Sequence, residues 1–169
     1  MKTLYLIGGT MGVGKTSVCR QLQKMLPNSV FLDGDWCWDA RPFVVTDETK
    51  AMVMDNIRHV LNNFLRCTAY DHVLFAWVMH QQTIIDDILQ GIDTNGCVVH
   101  TISLTADEPA LRARFLRDIQ SGLRTAQDQA RSVARLPLYE SLATIRIDTT
   151  GKGVAETARE ILRVTGGQT

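Results

Sequence analysis

Apolar residues in this chain fall into two alternating kinds of run. Short, nearly unbroken ones at Thr3–Ile7, Ser29–Leu32, Val73–Val78, Val98–Leu104 and Thr144–Ile147 predict strands. Between them, apolar residues recur every three or four positions, the helical period. Lys15–Leu26 carries Val18, Leu22 and Leu26 on one stripe and stops at Pro27-Asn28. A longer helix is predicted from Glu48 to Ala69, with Val53, Ile57, Val60, Leu61 and Phe64 in phase. Shorter helices follow at Ile84–Leu89, Glu108–Gln120, Ala126–Ala134 and Val154–Val164.

Strands without polar alternation are buried on both faces, as in a parallel sheet covered by helices. The alternation predicts a three-layer α/β fold with right-handed crossovers, in one domain over residues 1–169. No repeat, low-complexity tract or linker divides it. Ligands of such a sheet gather at the carboxyl ends of its strands.

Composition adds mainly exclusions. Eighteen basic residues balance eighteen acidic ones, so no overall field recruits nucleic acid or an anionic membrane. An anionic ligand must be held by locally placed groups. Cys19, Cys37, Cys67 and Cys97 have neither CxxC nor metal-ligand spacing, and the expectation is core cysteines in a reducing compartment. The apolar run Leu4–Ile7 is too short for a signal-peptide core, and no stretch approaches a membrane span, so the expected location is cytoplasmic.

The sharpest motif follows the first strand. Gly9, Thr10, Met11, Gly12, Val13, Gly14, Lys15 and Thr16 match G-x-x-x-x-G-K-S/T, with a strand before and a helix beginning inside. Glycines let successive amides turn inward on phosphate oxygens, and the helix N-terminus adds partial positive charge. Ser17 continues the loop into the helix. Lys15 is placed for the β- and γ-phosphates and Thr16 for Mg²⁺, so the expected cofactors are ATP and Mg²⁺.

A GTPase would need DxxG shortly after the loop and an NKxD base reader. The DxxG here is Asp148-Thr149-Thr150-Gly151, near the C-terminus, and NKxD is absent. The second strand ends in Asp33-Gly34-Asp35, a carboxylate pair beside the loop. Asp33 is a candidate metal ligand through water, and Asp35 a candidate base for an attacking hydroxyl. The same tripeptide also suits an Asx-type turn.

Residues 31–35 and the phosphate loop resemble the P-loop small-molecule kinases, which include shikimate, gluconate and adenylylsulfate kinases. Arg135-Leu136-Pro137-Leu138-Tyr139, Ala143 and Ile145–Thr149 resemble the R-x-P-L-Y…A…v-D-T run of shikimate kinases. The resemblance implies a five-stranded parallel sheet in the order 2-3-1-4-5 and a short lid at about residues 117–130. It also implies that Arg124 contacts the ATP phosphates and Arg117 packs on adenine. The alternative for Arg112, Arg114 and Arg117 is a solvated basic helix face.

The chain departs from the family at its third strand, where Trp77-Val78-Met79-His80 replaces a glycine-rich triplet, which argues against shikimate as substrate. Trp77 and His80 are candidate acceptor contacts, with Trp36 and Trp38 as an aromatic wall. Core tryptophans and a structural histidine are the alternatives. By resemblance, Arg58 and Arg135 contact an acceptor carboxylate, or they are ordinary surface or salt-bridge arginines. Residues 73–116 also loosely resemble the tunicamycin-resistance type of P-loop protein.

The leading expectation is a kinase moving the γ-phosphoryl of ATP to a small-molecule hydroxyl, with Lys15, Asp35 and Arg124 catalytic. A non-catalytic ATP-binding regulatory or resistance protein, and a nucleoside or nucleotide kinase, stand as alternatives. The expected partner is a small-molecule acceptor, with no nucleic acid or membrane, in a monomer or homodimer.

Overall fold

The computed structural model describes residues 1–167, so the last two positions of the expected domain, 168 and 169, lie outside the described residues. Strand β1 (Lys2–Gly8) leads into helix α1 (Lys15–Met25), and β2 (Ser29–Asp33) into a 3-10 turn at Gly34–Trp38. Helix α2 (Asp47–Arg66), β3 (His72–Trp77), α3 (Gln82–Gln90) and β4 (Cys97–Thr105) follow. Then come α4 (Glu108–Gln120), α5 (Ala126–Arg135), a 3-10 turn at Leu136–Ser141, β5 (Ile145–Asp148) and α6 (Val154–Val164).

The strands form one parallel sheet in the order β2-β3-β1-β4-β5. Because neighbouring residues of a strand point to opposite faces, each apolar run feeds two cores at once. Tyr5, Ile7, Leu74 and Ala76 join Val18, Leu22, Ile161 and Leu162 under α1 and α6. Leu4, Leu6, Val73 and Phe75 join Val53, Ile57, Leu61 and Ile88 under α2 and α3. Full burial of one such aliphatic side chain contributes about 1.5–3 kcal/mol, so the four buried residues of α2 suffice to fix it on the sheet.

Caps set where helices begin. Thr46 accepts from the Thr49 amide and Thr49 returns the bond, opening α2 (capping box). Asp107 caps α4, and Thr125 with Asp128 closes a capping box on α5.

Several boundaries differ from the sequence reading. The long helix stops at Arg66, not Ala69, because the Asp71 amide must reach Asn28 O (2.8 Å) to start β3 beside β2. Helix α3 gains two residues before Ile84 and one after Leu89. Strand β5 runs one residue later, to Asp148, in register with Thr105. Neither 3-10 turn was foreseen. The first forms because Asp33 accepts from the Asp35 amide, and the second has Pro137 at its start.

Among the described residues no helix is long and apolar enough to cross a membrane. The carboxyl ends of β1, β2 and β3 meet at one edge, with Gly8 opposite Trp77 and Asp33 opposite Ala76. The phosphate loop, the carboxylate pair and the Trp77 segment are thereby brought together.

Candidate nucleotide and acceptor site

The loop after β1 is built to keep side chains out of its concave face. Gly14 caps α1 at φ 108°, a left-handed value that strains any other residue. Gly12, at φ 83°, is needed for space as well: a Cβ there would sit 2.6 Å from the Phe115 ring and 2.7 Å from Arg124 Nη1. Lys15 Nζ donates to Gly9 O (2.7 Å) and Thr10 O (3.0 Å). Burial pulls its pKa down to about 8, although Asp35 and Asp33 oppose that shift. An ammonium in so poor a solvent gains strongly from an arriving phosphate anion.

Asp33 closes the Asx-type turn and also reaches Thr16. Its Oδ1 accepts from the Asp35 amide (3.1 Å), closing the Asx-type turn, while Oδ2 accepts from Thr16 Oγ1 at 2.7 Å. Asp35 is released by that turn into the cleft. Burial and the neighbouring Asp33 raise its pKa, against the opposing influence of Lys15, the Trp77 side chain and Arg124. Among the described residues no group of three or more His, Cys, Asp or Glu could hold a metal. A hydroxyl and one carboxylate side by side suit Mg²⁺, which draws its other ligands from phosphates and water.

Helices α4 and α5 pack against each other beside the loop. Arg124, in the turn between them, lies 5.0 Å over the Phe115 ring, and its Nη1 is 2.9 Å from Asp118 Oδ2 without hydrogen-bond alignment. Arg117 is exposed and lines the cleft. Arg112 matches the solvated alternative, pairing with Glu108 at 2.7 Å. Arg114 does not: it donates to Val13 O (3.0 Å), Thr149 Oγ1 (2.9 Å) and Thr149 O (2.9 Å), joining the phosphate loop to the end of β5.

The Thr10 side chain turns away from the loop's mouth. Its hydroxyl is fully buried and lies 2.7 Å from Ser132 O and 2.8 Å from Ser132 Oγ. Ser132 in turn donates to Met11 O (2.5 Å), so α5 is pinned to the loop. Sequence reasoning missed Ser132, which stands 122 positions from Thr10 and belongs to no motif. Its one visible sign is a small polar residue among the helical positions of α5.

The cleft continues past Asp35 to a second end, for a total of about 1500 Å³. Trp77 stands at the end of β3, and a Cβ on Gly34 would fall 2.5 Å from its Cγ, so the indole packs directly against that glycine. Trp38 and Phe43 pack with ring centroids 4.6 Å apart and line the same space. Trp36 does not share this wall: it packs on Phe31 (5.5 Å) under Arg20, outside the cleft.

His80 lines the cleft beyond Met79, which takes a left-handed φ of 34° and turns the chain. Tyr139, the tyrosine of the R-x-P-L-Y run, donates its hydroxyl to Val78 O and steadies that turn. Burial, then Arg135, holds the pKa of His80 down, and its Nδ1 has no partner. Arg135 lines the cleft beside it, and among the described residues it forms no ion pair. Arg58 also lines the cleft, where its Nε (3.0 Å) and Nη2 (2.6 Å) donate to Asp87 O of α3.

A family model described as an AAA domain matches residues 6–133, three quarters of the chain and the whole phosphate-binding half. The chain belongs to that family. No curated protein matches this AAA-domain chain in sequence. Solved structures do match in fold. A tunicamycin resistance protein from Deinococcus radiodurans superposes with TM-score 0.75 at 20% identity, covering 99% of this chain and 98% of that one. A gluconokinase from Sinorhizobium meliloti 1021 gives 0.70 at 18%, covering 97% and 91%. A shikimate kinase from Acinetobacter baumannii, in complex with shikimate, gives 0.62 at 22%, covering 97% and 92%. The AAA-domain chain therefore has the P-loop kinase fold of the shikimate and gluconate kinases, in the sheet order that resemblance implied.

Proposed function

We propose that this protein is a phosphotransferase that moves the γ-phosphoryl of ATP to a hydroxyl of a small molecule. The observation carrying this reading is that one cleft of about 1500 Å³ is lined by Lys15, Thr16, Asp33, Asp35 and Arg124. A protein that only bound nucleotide would have no use for Asp35, which stands past the phosphate end and faces open space.

In the proposed reaction, the loop amides and Lys15 hold the triphosphate, with Arg117 beside the base. The acceptor hydroxyl gives its proton to Asp35 as its oxygen bonds to the γ-phosphorus. The bond from that phosphorus to the β–γ bridging oxygen breaks, and ADP leaves with the electron pair. Lys15 and Arg124 stabilise the charge that spreads over the transferring group. Thr16 and Asp33 would hold Mg²⁺, which supplies charge neutralisation on the phosphate oxygens when bound. Residues 117–130, comprising the end of α4, its turn and the start of α5, form the lid. Arg124 within the lid and Phe115 just before it already lie against Gly12. Little covalent work falls to the protein, so positioning and electrostatics supply most of the rate.

Asp35→Asn tests this reading. The variant should bind ATP with Mg²⁺ as the parent does and lose phosphoryl transfer by about 10²–10⁴-fold, the usual contribution of a positioned base. Unchanged transfer would remove Asp35 from its role. A second reading, an ATP-binding resistance or regulatory protein, draws support from the fold shared with the Deinococcus tunicamycin resistance protein. ATP held tightly with no ADP released under any hydroxylated compound would favour it.

A further inference from the structure

The end of the cleft beyond Asp35 differs in chemistry from the phosphate end. Three aromatic rings shape it. Trp77 packs against Gly34 and leaves part of its surface to the cleft that it lines with Asp35. A hydroxyl presented to that carboxylate therefore brings its carbon skeleton against the indole. Opposite stands the Trp38–Phe43 pair. At the rim Phe43 is 59% exposed and Val45 56%, apolar surface that nothing else in the described chain covers.

Trp38, Phe43 and Val45 are continued along the cleft wall by Val53, Met54 and Ile84, and the Arg58 guanidinium among them already holds Asp87 O. A chain of hydroxyls laid along Trp38, Phe43 and Val45 would lose its water without finding hydrogen bonds in return. Polar side chains line the cleft elsewhere, at Lys50, Gln81, Thr83, His80 and Arg135.

We infer that the ligand filling this end of the cleft is a hydroxylated compound whose bulk is an apolar or aromatic ring body, rather than a polyol or sugar acid. On the kinase reading above, this ligand is the phosphoryl acceptor. The rings of Trp77, Trp38 and Phe43 receive the ring body, Asp35 takes the hydroxyl, and Arg135 with His80 accommodates a polar substituent at the far side.

The test is calorimetric titration of the whole protein, without nucleotide, using 2-phenylethanol and 2-(2-naphthyl)ethanol against gluconate and shikimate. The ring alcohols should bind at least about tenfold more tightly than either acid, with a negative heat-capacity change that marks apolar burial. Trp77→Ala should weaken ring-alcohol binding about tenfold or more, and Trp77→Phe should retain most of it. Val45→Asp lies at an exposed rim position where folding is not at stake, and it should weaken the same binding several-fold. Tighter binding of gluconate or shikimate would overturn the inference, as would unchanged binding in folded Trp77→Ala and Val45→Asp. Adding ATP and measuring ADP separates the two claims. Ring alcohols that bind without releasing ADP leave this inference standing and remove the kinase reading. ADP release with gluconate alone does the reverse.

Discussion

The two ends of the cleft solve the problem of holding a ligand in opposite ways. At the proposed phosphate end, eight consecutive residues would hold the ligand mainly with main-chain amides. Side chains there, Lys15 and Thr16, are already tethered to Gly9 O and Asp33. At the acceptor end the walls come from α2, the two segments after β2 and β3, and the lid helices. They act through side-chain surface. On the proposed reading, the contrast separates a general ligand at one end from a particular one at the other. Amides turned on phosphate recognise a group common to all nucleotides, whereas a wall of rings can change shape with each substitution while the loop stays the same.

Removing Lys15 and Thr16 together should break the phosphate end alone. Hydrogen bonds to charged groups are worth about 1.5–3 kcal/mol each, so Lys15→Ala with Thr16→Ala should weaken ATP binding in Mg²⁺ by about 100-fold or more. Binding of ring alcohols at the far end should be unchanged by calorimetry. A loss at both ends would show that the cleft is one coupled site.

Gly34→Ala breaks the acceptor end from beneath. The added methyl would stand 2.5 Å from Trp77 Cγ and 2.6 Å from Cδ1, so the indole must move. Overpacking of this kind costs about 1–3 kcal/mol, which should lower the melting temperature by about 3–10 °C. Ring-alcohol affinity should fall with it while ATP affinity holds.

Ser132→Ala sharpens the comparison by loosening the phosphate end without touching its motif. Thr10 Oγ1 would lose its side-chain partner, and Met11 O would be left without the Ser132 hydroxyl. A buried group left unpaired costs about 1–3 kcal/mol, and the low end applies because Thr10 keeps its bond to Ser132 O. The expected result is a smaller fall in melting temperature with a larger KM for ATP.

The smallest effect is on pH dependence. Burial lowers the pKa of His72, His80 and His100 below the ordinary 6.5, with Arg135 adding to the shift at His80. The unfolded chain then binds more protons than the folded one just below pH 6.5, so stability should decline as pH falls through that window. His80→Gln should flatten the decline, measured by chemical denaturation between pH 7.5 and about 5.5, without altering ATP binding at pH 7.5.

Legibility followed the range of the interactions. The strand at Lys2–Gly8, the loop, and the helices Glu108–Gln120 and Val154–Val164 were readable because period, capping and motif are local properties. Asp33 and Asp35 were readable as a pair because they flank one glycine. Their division of labour was not, because it depends on Thr16 approaching from another element. Trp36 and Trp38 look equivalent in sequence, yet a 3-10 turn sends one to the cleft and the other to Arg20. Arg112 and Arg114 are near neighbours on one helix, but the turn of the helix gives Arg114 to Val13 and Thr149 and leaves Arg112 with Glu108.

By itself, then, the sequence determined the layered fold, the phosphate loop and the placing of two carboxylates beside it, since each follows from neighbours along the chain. Only the tertiary structure decided which arginines are engaged, that α5 is fastened to the loop through Ser132, and that rings wall the acceptor end. Those depend on contacts between residues as much as 122 positions apart, which no local period or spacing encodes.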